Sequence, residues 1–579
     1  MKTFLKKFKL LFIAILIGGY AIISYSFVDN YFEVSKNLDI FATMFRELNI
    51  YYVDETNPGD LMKKGIDEML ASLDPYTNYI PESEIEDYRY MTTGQYGGIG
   101  ALIRQQGDYV VVSEPYEGFP AQKADLRAGD KILKINDIDA KGKKTDDISK
   151  ILKGQASTVI KLLIEREGEK KPIEKLINRE EIKIKSVSYS GMVSKNIGYI
   201  KLTGFTENAA NEVKDALLNL KKNPELKSIV FDLRGNPGGL LKEAIDIVNL
   251  FAEKGTEIVS TRGKVKDWDK IHKAVNNPVD LTIPMTVLID RGSASASEIV
   301  SGSLQDLDRG VVIGQRSYGK GLVQQTRPLS YNAQLKVTVA KYYIPSGRCI
   351  QALDYSHRNE DGSVAKVPDS LISAFKTKNG RIVYDGGGVA PDIALETQKY
   401  SSILASLVTK NLIFDYATKY RIAHETIVPA KDFTLSDAEY TDFVTFLNGK
   451  DYDYKTKSEK TIDELKEDAK EDKALDAISA DIDALKTKIM HNKKEDLIKY
   501  KPEIKQFLEE EIASRYFFQN GRLEASLKDD PELKQALTVL NDAEQYKKIL
   551  TTIVKAEKPM YNPDKERYKN LKQTKGQEN

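Results

Sequence analysis

A chain of 579 residues with 41% apolar content exceeds what a single hydrophobic core organises, so three or four domains are expected. Its 86 basic and 86 acidic side chains cancel, which removes the global positive field that would draw a protein onto nucleic acid. The single cysteine, Cys349, excludes an internal disulfide, and His272, His357, His424 and His491 lack the close spacing of a zinc site, so neither metal nor cofactor is expected.

At the N-terminus, Lys2, Lys6, Lys7 and Lys9 precede a charge-free stretch from Leu10 to Val28, about the length that crosses a bilayer as a helix. The pattern predicts a signal-anchor or transmembrane segment within residues 1–30, its basic flank in the cytoplasm and the rest of the chain on the outer, periplasmic side. The stretch ends Ser24-Tyr25-Ser26-Phe27 with no A-x-A cleavage pattern, which favours an uncleaved anchor over a removed signal peptide. Over residues 31–90, Leu38, Phe41, Phe45 and Leu48, then Leu61, Ile66, Met69 and Leu70, recur at helical spacing. This helical segment closes at the turn Leu73-Asp74-Pro75-Tyr76-Thr77 and reads as a packing subdomain or a dimer contact.

Residues 91–180 change to short strands. Gln95 to Ile103 leads into a strand from Asp108 to Ser113; a turn at Ala128-Gly129-Asp130 precedes an alternating strand to Asn136; a helix from Thr145 to Leu152 and a strand from Thr158 to Glu165 complete the unit. The order resembles a PDZ domain. The resemblance implies that the loop at Gly98, Ile99 and Gly100, with Ala101, captures a peptide's terminal carboxylate through backbone N–H groups. It further implies that the strand Ala101 to Ile103 pairs with the added peptide while Ile148 and Leu152 line a pocket for its last side chain.

Residues 181–398 alternate strands with helices in an α/β arrangement. Gly198 to Leu202 is a strand and Asn208 to Leu220 a helix; the apolar strand Ser228 to Leu233 runs into Arg234-Gly235-Asn236-Pro237-Gly238-Gly239 before a helix from Leu240 to Phe251. Glycines at that junction free backbone N–H groups where a negative oxygen can be stabilised. A second junction follows the strand Met285 to Asp290, where small residues crowd Gly292-Ser293-Ala294-Ser295-Ala296-Ser297-Glu298. A serine there can project its hydroxyl while the next N–H points into the same space; capping serines with Glu298 are the alternative reading. No histidine lies in these motifs, but Tyr318-Gly319-Lys320-Gly321-Leu322-Val323-Gln324 frames a lysine with glycines, and burial would make its amine a base.

Together these motifs resemble the carboxyl-terminal processing peptidases, or tail-specific proteases, over roughly Leu73 to Ile393. The resemblance also takes in Ile197-Gly198-Tyr199-Ile200, Tyr343-Ile344-Pro345-Ser346-Gly347-Arg348 and Gly388-Val389-Ala390-Pro391-Asp392. It implies a serine–lysine dyad with Ser295 as nucleophile and Lys320 as general base, and Gln324 orienting the amine. Ser293 and Ser297 are bystanders, Ala296 N–H with that of Gly238 or Gly239 forms the oxyanion hole, and Asp306 supports the structure without carrying protons. The implied substrates are unfolded or tail-presented envelope proteins with apolar C-termini.

Beyond residue 399 the chain is helical and highly charged, with capping boxes expected at Ser436 to Glu439 and Thr461 to Glu464 and a helix starting at Pro531 after Asp530. Asp451 to Lys473 reads as a linker or solvated helix and Lys558 to Asn579 as a disordered tail. Oligomerisation, substrate gating, adaptor binding or a plain helical appendage remain open for this extension. The expected architecture is thus a mixed α/β and α+β multidomain chain: anchor, helical segment, PDZ domain, α/β serine peptidase core and C-terminal helical extension. Two other readings exist, a PDZ-bearing scaffold on an inactive peptidase fold, and a Ser–His hydrolase using His272 or His357.

Overall fold

The computed structural model describes residues 31–359, 361–489 and 493–552. The anchor expected within residues 1–30 and the tail expected at 558–579 lie outside them. Among the described residues no helix is long and apolar enough to cross a membrane.

The N-terminal segment is helical over residues 31–51 and again in α1 (Pro58–Ala71). Asn57 caps α1 by accepting the N–H groups of Gly59 and Asp60, and Pro58 sits in the first turn, where no N–H is needed. A short strand β1 (Asn78–Ile80) and the helix α2 (Ile85–Thr93) lead into β2 (Gln95–Gly98).

Next comes an antiparallel sheet whose long strands are β3 (Ala101–Gln106), β4 (Tyr109–Pro115), β5 (Lys131–Ile135), then, after helix α3 (Thr145–Leu152), β6 (Val159–Glu165) and β7 (Ile173–Asn178), in the order β3-β4-β5-β6-β7. Val110, Val112, Ile132, Ile160 and Leu162 meet Ile148 and Leu152 of α3 in its core. The alternation in β6, where Ile160, Leu162 and Ile164 are buried and Val159 is exposed, is what one covered face requires. Strand β3 stands at the sheet's edge beside α3, and β2 pairs instead with β8 (Glu180–Lys183).

The central sheet comprises β9 (Val187–Met192), β10 (Ile197–Leu202), β11 (Ser228–Asp232), β14 (Met285–Ile289), β15 (Val311–Gly314) and β18 (Ile393–Ala394) in that spatial order, parallel except for β9. Every residue of β11 and β14 is buried, as in a parallel sheet covered on both faces. Helices α4 (Ala209–Leu220), α5 (Leu241–Asn249) and α6 (Ala296–Asp306) make the crossovers and cover one face. A second, antiparallel sheet holds β12 (Glu257–Gly263), β13 (Lys270–Lys273), β16 (Leu322–Pro328) and β17 (Gln334–Tyr343). Its long strand β17 carries β16 along one edge, and on the other edge first β1, with Asn78 opposite Lys336, and then β12.

The C-terminal extension is a helical array with its own core, including Leu407, Tyr416, Phe443, Leu508 and Ile512. Ser436 and Glu439 form the expected capping box, but the second one moves. Thr456 and Glu459 cap the helix Lys457–Glu471, and Thr461 lies inside it, its hydroxyl donating to Lys457 O. The helical stretch α7 (Lys501–Ser526), broken by a kink at Phe518, reaches the β3-to-β7 sheet, where Arg522 meets Glu114 at 3.0 Å. Helix α8 (Pro531–Asn541), capped by Asp530 as expected, lays Leu533, Ala536 and Val539 on the face of the central sheet opposite α4 to α6, against Tyr199, Val230 and Leu288.

The extension therefore supplies the second layer of the central sheet. Leu533→Ala is expected to cost about 2–4 kcal/mol. The check is a urea titration in which the midpoint falls while the slope is kept.

Candidate active site

Two strand-to-helix junctions of the central sheet meet at their C-terminal ends, the position where open parallel sheets place ligands. After β14, Asp290 Oδ1 accepts N–H groups from Gly292 and Ser293 within its own turn and from Gly235 of the neighbouring junction. Ser293 and Ser297 are fully buried and donate to Leu233 O and Asn236 O, each at 2.9 Å, while Ala294 N–H donates to Asn236 O. Both serines thus staple the two junctions together, as bystanders to chemistry would.

Ser295 differs from its neighbours. Its backbone has φ 56° and ψ −114°, a conformation that costs a non-glycine residue of order 1–3 kcal/mol and that recurs where a nucleophile is presented on a sharp turn. Beside it runs the Gly238 backbone, left-handed at φ +99°, so close that a Cβ there would lie 2.8 Å from Ser295 Cβ and 2.9 Å from Ala296 N. No residue but glycine fits. Gly238 N–H itself donates to Asn236 Oδ1, whereas the N–H groups of Gly239 and Ala296 donate to no protein acceptor among the described residues.

Lys320 lies on the loop entering β16. Gly319 before it has φ +90° and packs so tightly that a Cβ would meet that of Ala352 at 2.4 Å. The Lys320 amine rests 4.2 Å from the centre of the Tyr76 ring, and no hydrogen bond joins it to Ser295 Oγ in this structure. Burial pushes its pKa down to about 8, helped by Lys336 and opposed by Glu298 and Asp74.

What couples the lysine loop to the serine turn is Glu298, which is completely buried. Its Oε2 accepts Ser295 N–H and Lys320 N–H, each at 2.8 Å, so those two nitrogens stand within two hydrogen-bond lengths of each other. Its Oε1 accepts Gly319 N–H at 2.7 Å and Ser317 Oγ at 2.5 Å. Burial lifts the carboxyl to about 7 against the four donors, which favour its anion. Tyr342 adds a second tie, its hydroxyl reaching Lys320 O at 2.5 Å and Ser295 O at 3.1 Å. The sequence pattern marks Glu298 only as a cap three residues beyond Ser295; its reach to residue 320 follows from β15 running beside β14.

The remaining expected residues are placed as follows. Gln324 Nε2 donates to Thr338 Oγ1 at 3.2 Å and forms no bond to the Lys320 amine. Asp306 is buried and pairs with Arg348 at 2.8 Å while accepting Ser346 N–H; it holds the Ser346-Gly347-Arg348 loop. In the PDZ-like unit, Gly98 ends β2 and is engaged with β8 opposite Glu180, and Ala101 opens β3, the edge strand of the β3-to-β7 sheet. Between them, Ile99 and Gly100 give their carbonyls to Ala121 and Tyr116, and their N–H groups find no protein acceptor among the described residues. His357 pairs with Asp354 on an exposed strand and His272 lies on β13; neither bonds to Ser295. Among the described residues no cluster of His, Cys, Asp and Glu could hold a metal ion. Two features escaped the sequence: Arg234 joins buried Asp232 at 2.7 Å to Asp530, the cap of α8, at 2.6 Å, and the turn at Asp74 to Thr77 lies against Lys320.

Residues 196–356 match the family model described as peptidase family S41, residues 111–166 match a PDZ domain, and residues 403–540 match the model described as "Probable PDZ-protease, C-terminal helical domain". The carboxy-terminal-processing protease of Bartonella bacilliformis is 39% identical over 322 residues, covering 55% of this chain and 73% of that one. A "Probable CtpA-like serine protease" of Staphylococcus aureus is 33% identical over 407 residues, covering 68% and 74%. A solved photosystem II D1 C-terminal processing protease is 27% identical, covers 62% of this chain and 92% of that one, and superposes with a TM-score of 0.34. The chain belongs to peptidase family S41 and is a carboxy-terminal-processing serine protease with a PDZ domain.

Glu298→Gln replaces two acceptor oxygens by one acceptor and one donor facing backbone donors. It should cost about 2–3 kcal/mol of stability. Proteolysis should fall roughly 100-fold through misplacement of the two loops. Paired measurements of unfolding midpoint and cleavage rate check both.

Proposed function

We propose that the chain cleaves unfolded or tail-presented envelope proteins with a Ser295–Lys320 dyad, its PDZ domain selecting substrates by apolar C-termini. The observation that carries this reading is the single buried carboxylate of Glu298 gripping the backbones of both residues. Neutral Lys320 removes the Ser295 proton; the alkoxide attacks the substrate carbonyl; the resulting lysinium protonates the departing amine; and water, activated in turn by the lysine, releases the acyl group. The tetrahedral oxyanion takes its hydrogen bonds from Ala296 N–H and Gly239 N–H, since Gly238 N–H is already committed to Asn236. Gln324 acts on the amine's surroundings through Thr338, which hydrogen-bonds Thr77.

For substrate selection, Ile99 and Gly100 N–H groups receive the terminal carboxylate and the free edge of β3 receives the peptide as an added strand. The lysine-flanked apolar stretch of residues 10–28 tethers the enzyme to the cytoplasmic membrane with its catalytic part outside. Homo-oligomer or adaptor contacts belong to the same proposal for the helical extension.

Ser295→Ala and Lys320→Ala should each lower cleavage of an unfolded protein by roughly 1,000-fold or more while keeping the unfolding midpoint. Either variant cutting at the parent's rate would remove the dyad. Because the base must be neutral, kcat/KM should rise with pH and level off above about 8, the value to which burial brings Lys320. A pH–rate profile flat from 6 to 9 contradicts that, the range being roughly centred on the lysine's own.

A further inference from the structure

The turn that closes the N-terminal helical segment is built more firmly than a linker needs. Asp74 is buried; its Oδ1 accepts Tyr76 N–H at 2.8 Å and Thr77 N–H at 2.9 Å, and its Oδ2 accepts Thr77 Oγ1 at 3.0 Å. Pro75 between them presets the turn. Thr77 Oγ1 then accepts Thr338 N–H at 3.2 Å, and β1 continues the attachment by pairing with the start of β17. β17 is also the strand along which β16 runs on from Lys320. The turn and the lysine are thus referred to one rigid strand, although more than 240 residues separate them in the chain.

This bolting puts the face of Tyr76 over the lysine, with Nζ 4.2 Å from the ring centre. Beside Tyr76 stand Tyr355, its ring edge-on at 6.1 Å, and Tyr318, next to the Gly319-Lys320 pair. The other charged groups facing the amine are Lys336 from β17, Glu298 from α6 and Asp74 from the turn itself.

We propose that Tyr76 is a positioning residue for Lys320, its ring covering the amine against water and fixing where the side chain rests between proton transfers. The N-terminal segment is then part of the catalytic apparatus, not only a packing or dimer element. This rests on Lys320 being the base. The ring has two opposed influences: it excludes water, which disfavours the ammonium, and it attracts the ammonium through its π face. Burial is the larger influence on Lys320, so removing the ring should raise the amine's pKa and leave less of it neutral near pH 7.

The test compares pH profiles of kcat/KM for the full chain and for Tyr76→Ala, Tyr76→Phe, Tyr76→Leu and Lys320→Ala, with an NMR titration of the Lys320 side chain in a Ser295→Ala background. Tyr76→Ala should move the rising limb up by about one pH unit and cut kcat/KM at pH 7 about ten-fold. Tyr76→Phe, which keeps the ring and gives up the hydroxyl, should follow the parent. Where Tyr76→Ala does not fold, Tyr76→Leu stands in its place: it keeps apolar cover over the amine and gives up the π attraction for the ammonium, so its limb should move down. A folded Tyr76→Ala or Tyr76→Leu whose limb and lysine titration coincide with the parent's overturns the proposal, as does a Tyr76→Phe as impaired as the alanine variant. If Lys320→Ala still cleaves, the base assignment fails instead, a result distinct from an inactive Lys320→Ala beside an unmoved Tyr76→Ala.

Discussion

Four donors converging on one buried carboxylate, that of Glu298, set the geometry of this peptidase. A carboxylate inside a protein is expensive unless its oxygens are fully used, and here each accepts two hydrogen bonds. Because the donors come from both the serine turn and the lysine loop, the need to satisfy Glu298 is also the need to hold those loops side by side. The strained backbone of Ser295 persists under the same grip, with Gly238 filling the space a side chain would claim.

The two-faced character of the central sheet explains why the charged C-terminal extension exists as part of the fold. A parallel sheet with every residue of β11 and β14 buried cannot leave one side to water, and α8 covers the side that the crossover helices do not. The same helix brings Asp530 to Arg234, so the layer that seals the sheet also anchors the loop carrying Gly238 and Gly239. Helix α7 and the helix Leu412–Ala423 extend the contact to the PDZ domain, Arg522 of α7 meeting Glu114 and Phe414 of the other helix lying under Arg104. Burial pulls the Arg104 guanidinium down to about 10 and pushes the Glu114 carboxyl up, the expected price of placing ions between domains.

The sequence is most legible where a local pattern has one physical meaning. Apolar runs from Ser228 and Met285 declare buried parallel strands, the alternation around Ile160 declares a half-covered one, and Asp530-Pro531 declares a helix start; all are found within a residue or two of their expected limits. It is less legible where equivalent signals compete along the chain. Thr461 and Glu464 have the spacing of a capping box, yet Thr456 and Glu459 share that spacing one turn earlier and start the helix, leaving Thr461 inside it.

At the site, residue types and local spacing point to a serine turn crowded with small residues, a glycine pair and the glycine-framed Lys320, whereas choosing Ser295 over Ser293 and Ser297 rests on the resemblance to tail-specific proteases. The same resemblance points to Asp306, which the structure pairs with Arg348. What only the tertiary structure decided is who touches whom across hundreds of residues. Glu298 serves the lysine loop as well as its own helix, Gln324 turns to Thr338, Arg234 finds Asp530, and Tyr76 covers Lys320. Local propensity reaches over a few residues, whereas these contacts are set by strand order and by which strand edge each segment occupies, and those emerge only when the whole chain has packed.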